Sequence, residues 1–438
     1  MKRASLFRDS AVSMARHLIG ASAGILTLAI VARALGVNGL ASWALVGTSA
    51  FMVGLADLGL SSTVQRAVAS GEIAEQKVAL QRAVTLTAIA SPILAVALMA
   101  ITHHELSKAV DAPAMLLPSV ILAGLAGVVG SVVQPLRSLL VTRGQLAPVA
   151  LSRSVASIAQ VIVLLAALYV SRTLIAPSLA LLVSSVLEIV IVWSAVQNDL
   201  GGWRPLPSLS LVRGSAPALK QGAGTLVLNA AVLAALRIDV TLLANVAPLA
   251  TVAAYGVASR AVDQAFTVVK QIGVALLSRL ARSGEREQAA LTALRWMPSL
   301  VAAVMASLCF TAQPWFELWV GPGVLLPVFT QTLLLLGLAS VLAATSETAC
   351  SLLTMASSST WNATRAVMFG SIVNVVISVG GLSQYGALAV AGGTLIGNMV
   401  SSTIAWRGAS RLLGWSLSDL VRAMFPAATI ALGSFNLA

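Results

Sequence analysis

Charge is what this chain has least of. Asp, Glu, Lys and Arg together make up 10% of its 438 residues, against about 25% in soluble domains. With 58% hydrophobic residues, too little polar side chain remains to cover a globule in water, and the solvent these residues suit is a bilayer. Cysteine is nearly absent, and Cys309 and Cys350 both fall in apolar stretches. There they read as small core residues rather than as a disulfide or metal pair. No Gly-rich loop followed by Lys and Ser or Thr is present, and no hydrophilic stretch is long enough for a nucleotide-hydrolysing domain. ATP-driven transport by this chain alone is therefore not expected. His103-His104-Glu105 reads as a loop cluster without a complete set of metal ligands. Asn362-Ala363-Thr364 matches a glycosylation triplet by chance. Neither a metal nor a cofactor is expected.

What the chain has instead is a succession of apolar stretches of about twenty residues, the length that crosses a hydrocarbon core. We place spans at residues 12–34, 40–62, 82–102, 114–136, 149–170, 173–196, 219–246, 250–278, 296–314, 326–356, 364–381 and 385–406. Lys2, Arg3 and Arg8 ahead of the first run superficially resemble a signal peptide. That run is long and a second follows almost at once, so it reads as a retained helix. The expected fold is an all-α integral membrane protein of about 12 transmembrane helices, in two six-helix bundles around a central cavity. With the N-terminus inside, twenty-one of the 27 Lys and Arg residues fall in inward connections. Outside lie Arg33, Lys108 and Arg172, and within spans Arg237, Arg260 and Lys270. This asymmetry predicts a multi-pass protein of the bacterial inner membrane with a cytoplasmic N-terminus. It also accounts for much of the net charge of +12 without a nucleic-acid partner.

The longest polar connection, from Gln197 to Lys220, divides the chain. We read residues 1–200 as an N-terminal six-helix bundle, 201–218 as a cytoplasmic linker, 219–410 as a C-terminal bundle and 411–438 as an amphipathic or incomplete helix. Weak internal similarity, with Trp43 opposite Tyr255 and Ser70-Gly71-Glu72 opposite Ser283-Gly284-Glu285, suggests duplication. An even number of spans per half then relates the halves by an axis along the membrane normal.

Three stretches carry a family resemblance. They are Ala34-Leu35-Gly36 with Trp43 and Leu55-Ala56-Asp57-Leu58-Gly59-Leu60; Arg237-Ile238-Asp239 with Tyr255-Gly256-Val257-Ala258-Ser259-Arg260; and Tyr385-Gly386-Ala387 with Gly392-Gly393-Thr394. In this order, across nearly the whole chain, they resemble the oligosaccharide flippases of polysaccharide and O-antigen biosynthesis. That family lies within the superfamily that also holds multidrug and toxin extruders and the lipid II flippase. The resemblance implies a transporter, not an enzyme. It would carry undecaprenyl-diphosphate-linked oligosaccharide repeat units from the cytoplasmic to the periplasmic leaflet by alternating access. Membrane lipids, and the polymerase and chain-length proteins of the same pathway, are its implied partners.

Ionisable groups at mid-membrane depth cost about 2.5 to 3.5 kcal/mol each on insertion scales, so their placement carries information. Arg237 and Asp239 precede the connection near Ala247, while Arg260 and Asp263 follow it at a similar remove, so antiparallel neighbours would bring all four to one depth. Arg260, Asp263, Thr267 and Lys270 recur at three- and four-residue spacing and form one polar stripe. Two readings stay open: ion pairs joining helices, or a cavity lining whose cations meet a diphosphate. On the second, Arg237, Arg260 and Lys270, with Arg16 and Arg33 near span ends, are the substrate-binding candidates. Arg16, Arg33 and Arg137 also suit snorkelling to headgroups. Asp239, Asp263, Asp57 and Glu347 are candidates for coupling to H+ or Na+ or for ion pairing, with Glu188 a further acid within a span, and the membrane potential is a candidate energy source. Two rivals are an extruder of cationic drugs, which a cavity rich in Arg and poor in aromatics disfavours, and a glycan polymerase or ligase, which would need larger external loops.

Overall fold

The computed structural model describes residues 2–57, 59–109, 113–213, 215, 216, 219, 226, 239–280, 286–320, 327–356 and 361–413. Its regular elements are helical, as a chain with no water to satisfy backbone groups requires. They are α1 (Lys2–Val53), α2 (Leu60–Ser70), α3 (Ile73–Ala109), α4 (Pro113–Thr142), α5 (Leu146–Val170), α6 (Ile175–Asp199), α7 (Leu249–Leu280), α8 (Arg286–Val320), α9 (Pro327–Ala356), α10 (Trp361–Tyr385) and α11 (Ala387–Leu413). Two compact units divide the chain, Met1–Ala230 and Ala231–Ala438.

In the first unit α1 contains both of the first two expected spans. They are separated by a break at Gly36, whose φ of 68° and ψ of −171° suit glycine alone. The second expected span, 40–62, is corrected. Its helix stops at Val53, passes through a tight turn over Gly54–Asp57 and restarts as α2 at Leu60. The turn is fixed by Asp57, whose Oδ1 accepts the Gly59 backbone N–H at 2.5 Å, while Gly59 takes the left-handed conformation at φ 74°. The third span is longer than expected, so His103-His104-Glu105 lies within α3 and not in a loop. Leu60 and Val64 of α2 pack with Leu80 and Val84 of α3, Leu136 and Leu140 of α4 and Val196 of α6 in one buried cluster. The connection after α6 folds back on the same unit: Gln81 donates to the Leu206 carbonyl at 2.8 Å and the Ser208 N–H to Thr85 at 3.0 Å.

In the second unit α11 packs against α9 and α10, and α7 against α8 and α9. Lipid is as apolar as leucine, so membrane helices associate through close backbone approach and polar bonds. Both devices are present. A Cβ added at Gly370 would stand 2.5 Å from the Gly397 carbonyl, and one at Gly397 2.6 Å from the Gly370 carbonyl. Between α9 and α11, Ser346 and Ser401 hydroxyls meet at 2.9 Å, Ser402 donates to the Leu342 carbonyl at 2.7 Å and Asn398 to Ala339 at 3.1 Å. Many other buried hydroxyls satisfy themselves on their own helix, as Thr348 does on Ala344, which lets Ser and Thr line interfaces without an unpaired group. The expected seventh span falls mostly outside the described residues, as does the tail beyond residue 413.

Candidate functional site

Eight helices among the described residues are long and apolar enough to cross a membrane, and α7 is not one of them. The polar stripe is the reason. Arg260, Asp263, Thr267 and Lys270 all lie on α7 and are half-buried or exposed, whereas the interleaved Ala261, Val262 and Val269 are buried. Neither Arg260 nor Asp263 is without a partner. Lys270 reaches across to α9, placing Nζ 2.5 Å from Oε1 of Glu347. A substrate-binding candidate and a coupling candidate are thus brought together. Their side chains remain 42% and 38% exposed, so the pair is open to its surroundings rather than locked in the core. Its contribution to the unit is charge at a defined place.

Deeper in the same unit Asp239 is 2% exposed. Its Oδ2 accepts the Tyr255 hydroxyl at 2.6 Å and the Thr394 hydroxyl at 3.0 Å, the latter also 3.1 Å from the Val390 carbonyl. Tyr255 belongs to α7 and Thr394 to α11, so three separated stretches of sequence converge on one carboxylate. A buried carboxylate is tolerated only when donors surround it, and these two hydroxyls are supplied by helices that only the tertiary fold brings near. Sequence reasoning quoted Tyr255 and Thr394 within recurring stretches but gave them no part in the site. Arg237, expected beside Asp239, lies outside the described residues.

In the first unit Asp57 is buried and engaged with the Gly59 backbone, the geometry of an Asx turn. Arg33 is exposed on α1, three residues before the Gly36 break, and has a partner. Arg16 is on α1, and its side chain lies outside the described residues. A cluster that sequence reasoning missed joins α4, α5 and α6. Arg137 forms an ion pair with Glu188, and Arg153 approaches the same Oε1 at 3.9 Å. Arg137 therefore turns inward to an acid instead of outward to headgroups. The signal for it was available, since Glu188 is the one acid within an otherwise apolar span and such an acid needs a cation. At the near end of the same helices Arg143 pairs with Asp199 and holds Gln76 Oε1 at 2.5 and 3.0 Å, while Gln145 donates to Asp199. Among the described residues no group of three His, Cys, Asp or Glu side chains could hold a metal ion.

A family model described as polysaccharide biosynthesis protein matches residues 6–263, more than half of the chain. The chain belongs to the polysaccharide biosynthesis protein family. That match spans the first unit and the stretch from Asp239 to Asp263, while Lys270, Glu347 and Thr394 lie beyond it. Solved structures extend the likeness to the remainder. The lipid II flippase MurJ in an inward closed conformation is 13% identical with a TM-score of 0.70, covering 98% of each chain. An inward-facing multidrug resistance MATE transporter is 14% identical with a TM-score of 0.68, covering 94% of this chain and 99% of the other. The Vibrio cholerae MATE transporter VcmN in its bent form is 17% identical with a TM-score of 0.61, covering 97% and 99%. At these identities the likeness is one of fold. No curated protein matches the chain.

Proposed function

We propose that this member of the polysaccharide biosynthesis protein family is a flippase. It carries an undecaprenyl-diphosphate-linked oligosaccharide from the cytoplasmic to the periplasmic leaflet of the bacterial inner membrane by alternating access, in O-antigen, lipopolysaccharide or exopolysaccharide assembly. The single observation that carries the reading is the α7 stripe, with Arg260 and Lys270 on the least apolar face of a helix built into a membrane fold. Groups so placed are costly in lipid and are kept where they meet a charged solute or water. Arg260 would take diphosphate oxygens through its planar fork, and Lys270 would exchange Glu347 for a phosphate as the cargo passes. Exchange of this kind keeps Lys270 paired at every stage, which lowers the barrier to moving an anion past it. Asp239 is the candidate for coupling to H+ or Na+, as a buried carboxylate on which separate stretches of the unit converge.

The test is export of the glycan in cells whose chromosomal copy is replaced by a variant. Arg260→Ala should abolish surface glycan with protein levels unchanged, and Arg260→Lys, which keeps charge but loses the fork, should retain part of it. Normal export by the Ala variant, or its failure to accumulate in the membrane, would overturn the ligand role. A loss of resistance to cationic dyes with glycan export intact would point instead to a drug extruder.

A further inference from the structure

The cluster of Arg137, Glu188 and Arg153 carries two cations against one acid inside a bundle of apolar helices, and its geometry shows which cation is to spare. Arg137 and Glu188 are in direct contact, with side chains 11% and 14% exposed, whereas Arg153 approaches only through Nε at 3.9 Å and is 46% exposed. At that distance Arg153 forms no hydrogen bond to the acid, and its terminal nitrogens, which make the bidentate fork, are left open. The exposure is not to lipid. Leu151, Val155, Ile158, Ile162, Leu165 and Tyr169 form the exposed apolar stripe of α5, and Arg153 stands about 200° around the helix from Leu151. Ser157 and Gln160, half-buried, follow Arg153 on that opposite face at four- and seven-residue spacing.

Depth agrees with an anion at this place. Arg137 is five residues from the end of α4, Arg153 seven from the start of α5 and Glu188 eleven from the end of α6, so the cluster lies about 7 to 16 Å from one shared end of the three helices. A long Arg side chain that near the helix ends is within reach of a lipid phosphate. Gly20 of α1 faces Ser157, to whose Oγ an added Cβ would stand 3.6 Å. Three passes lie between α1's first half and α5, so the two run the same way.

We propose that Arg153 binds a phosphate ester of the lipid-linked cargo in the first unit, with Glu188 holding Arg137 in place as the second cation behind it. The site is built from α4, α5 and α6 alone, and it rests on the flippase reading only for the identity of the lipid. An uncompensated positive charge at this depth is unfavourable by itself, and a phosphate oxyanion completes the pairing as no uncharged sugar could. Glu188 then has a positioning role. It orients Arg137 and, by its own charge, keeps phosphate binding weak enough for release.

The full-length protein in detergent, incubated with undecaprenyl diphosphate or with phosphatidylglycerol and analysed by native mass spectrometry, tests this directly. Arg153→Ala should weaken retention of undecaprenyl diphosphate about tenfold or more, with the melting temperature unchanged. Arg153→Gln, which keeps the stem and a neutral donor, should do the same and guards against a folding artefact. Glu188→Gln should lower the melting temperature yet tighten lipid retention, an inversion that a purely structural ion-pair network would not produce. Loss of phosphatidylglycerol alone would assign the site to an annular lipid and overturn the cargo assignment. Unchanged retention of both lipids in both Arg153 variants would overturn the site altogether. Arg260→Ala in the same assay keeps the two ideas separate, because its failure to alter binding would remove the α7 reading and leave this one standing.

Discussion

Tyr255→Phe is the most economical perturbation of the second unit, because it deletes one oxygen and leaves the ring in place. The Tyr255 hydroxyl donates to a carboxylate at 2.6 Å in a fully enclosed setting, and a hydrogen bond to a charged group is worth about 1.5–3 kcal/mol. Thr394→Val removes the second donor, whose longer 3.0 Å contact is shared with the Val390 carbonyl, and should cost less, about 1 kcal/mol. The two hydroxyls meet one oxygen, so the double variant should depart from additivity by more than about 0.5 kcal/mol. At roughly 2–4 °C per kcal/mol for a unit of this size, Tyr255→Phe lowers the melting temperature of the purified protein by several degrees. The decisive control is Asp239→Leu. With no carboxylate to satisfy, Tyr255→Phe becomes nearly neutral in that background. An equal loss in both backgrounds, or no loss in the native one, would refute the account of Asp239 as the charge these hydroxyls exist to hold.

Gly397→Ala should destabilise by about 1–3 kcal/mol through overpacking, because its Cβ would stand 2.6 Å from the Gly370 carbonyl, whereas Gly392→Ala meets nothing within 4 Å and should leave the melting temperature unchanged. In proteoliposomes holding a fluorescent lipid-linked oligosaccharide, with valinomycin and a potassium gradient setting the potential, outward flipping should accelerate when the inside is negative. Two moving charges would gain about 5 kcal/mol per 100 mV. Flipping that ignores the potential but follows a proton or sodium gradient would replace potential-assisted export with ion antiport, and loss of that response in Asp239→Asn would then place the ion.

The helical segments were legible because a chain this apolar has few ways to satisfy its backbone. Span positions follow from hydropathy alone, and α4, α5, α6, α9 and α10 start and end near the residues that hydropathy marks. Hydropathy cannot see a turn, and so it ran the second span through Asp57 and Gly59, where the helix has already ended at Val53 and a side-chain bond to the backbone fixes the turn before α2. The α7 stripe was visible because its spacing lies within one helix. Its partner Glu347 was visible only as an isolated acid, since which cation it meets is decided by the packing of α7 on α9. The same limit hid the Arg137, Glu188 and Arg153 cluster, in which each residue on its own helix has an innocent explanation as an anchor or a cap. Burying an acid alone is costly, so each mid-span Glu or Asp calls for partners from other helices. Glu188 meets a direct cation, Asp239 accepts from hydroxyls of two other stretches of helix, and Glu347 pairs with a half-exposed lysine. Of the three, Asp239 is the most enclosed and Glu347 the most exposed, and that exposure is the physical reason to seek the moving cargo along α7.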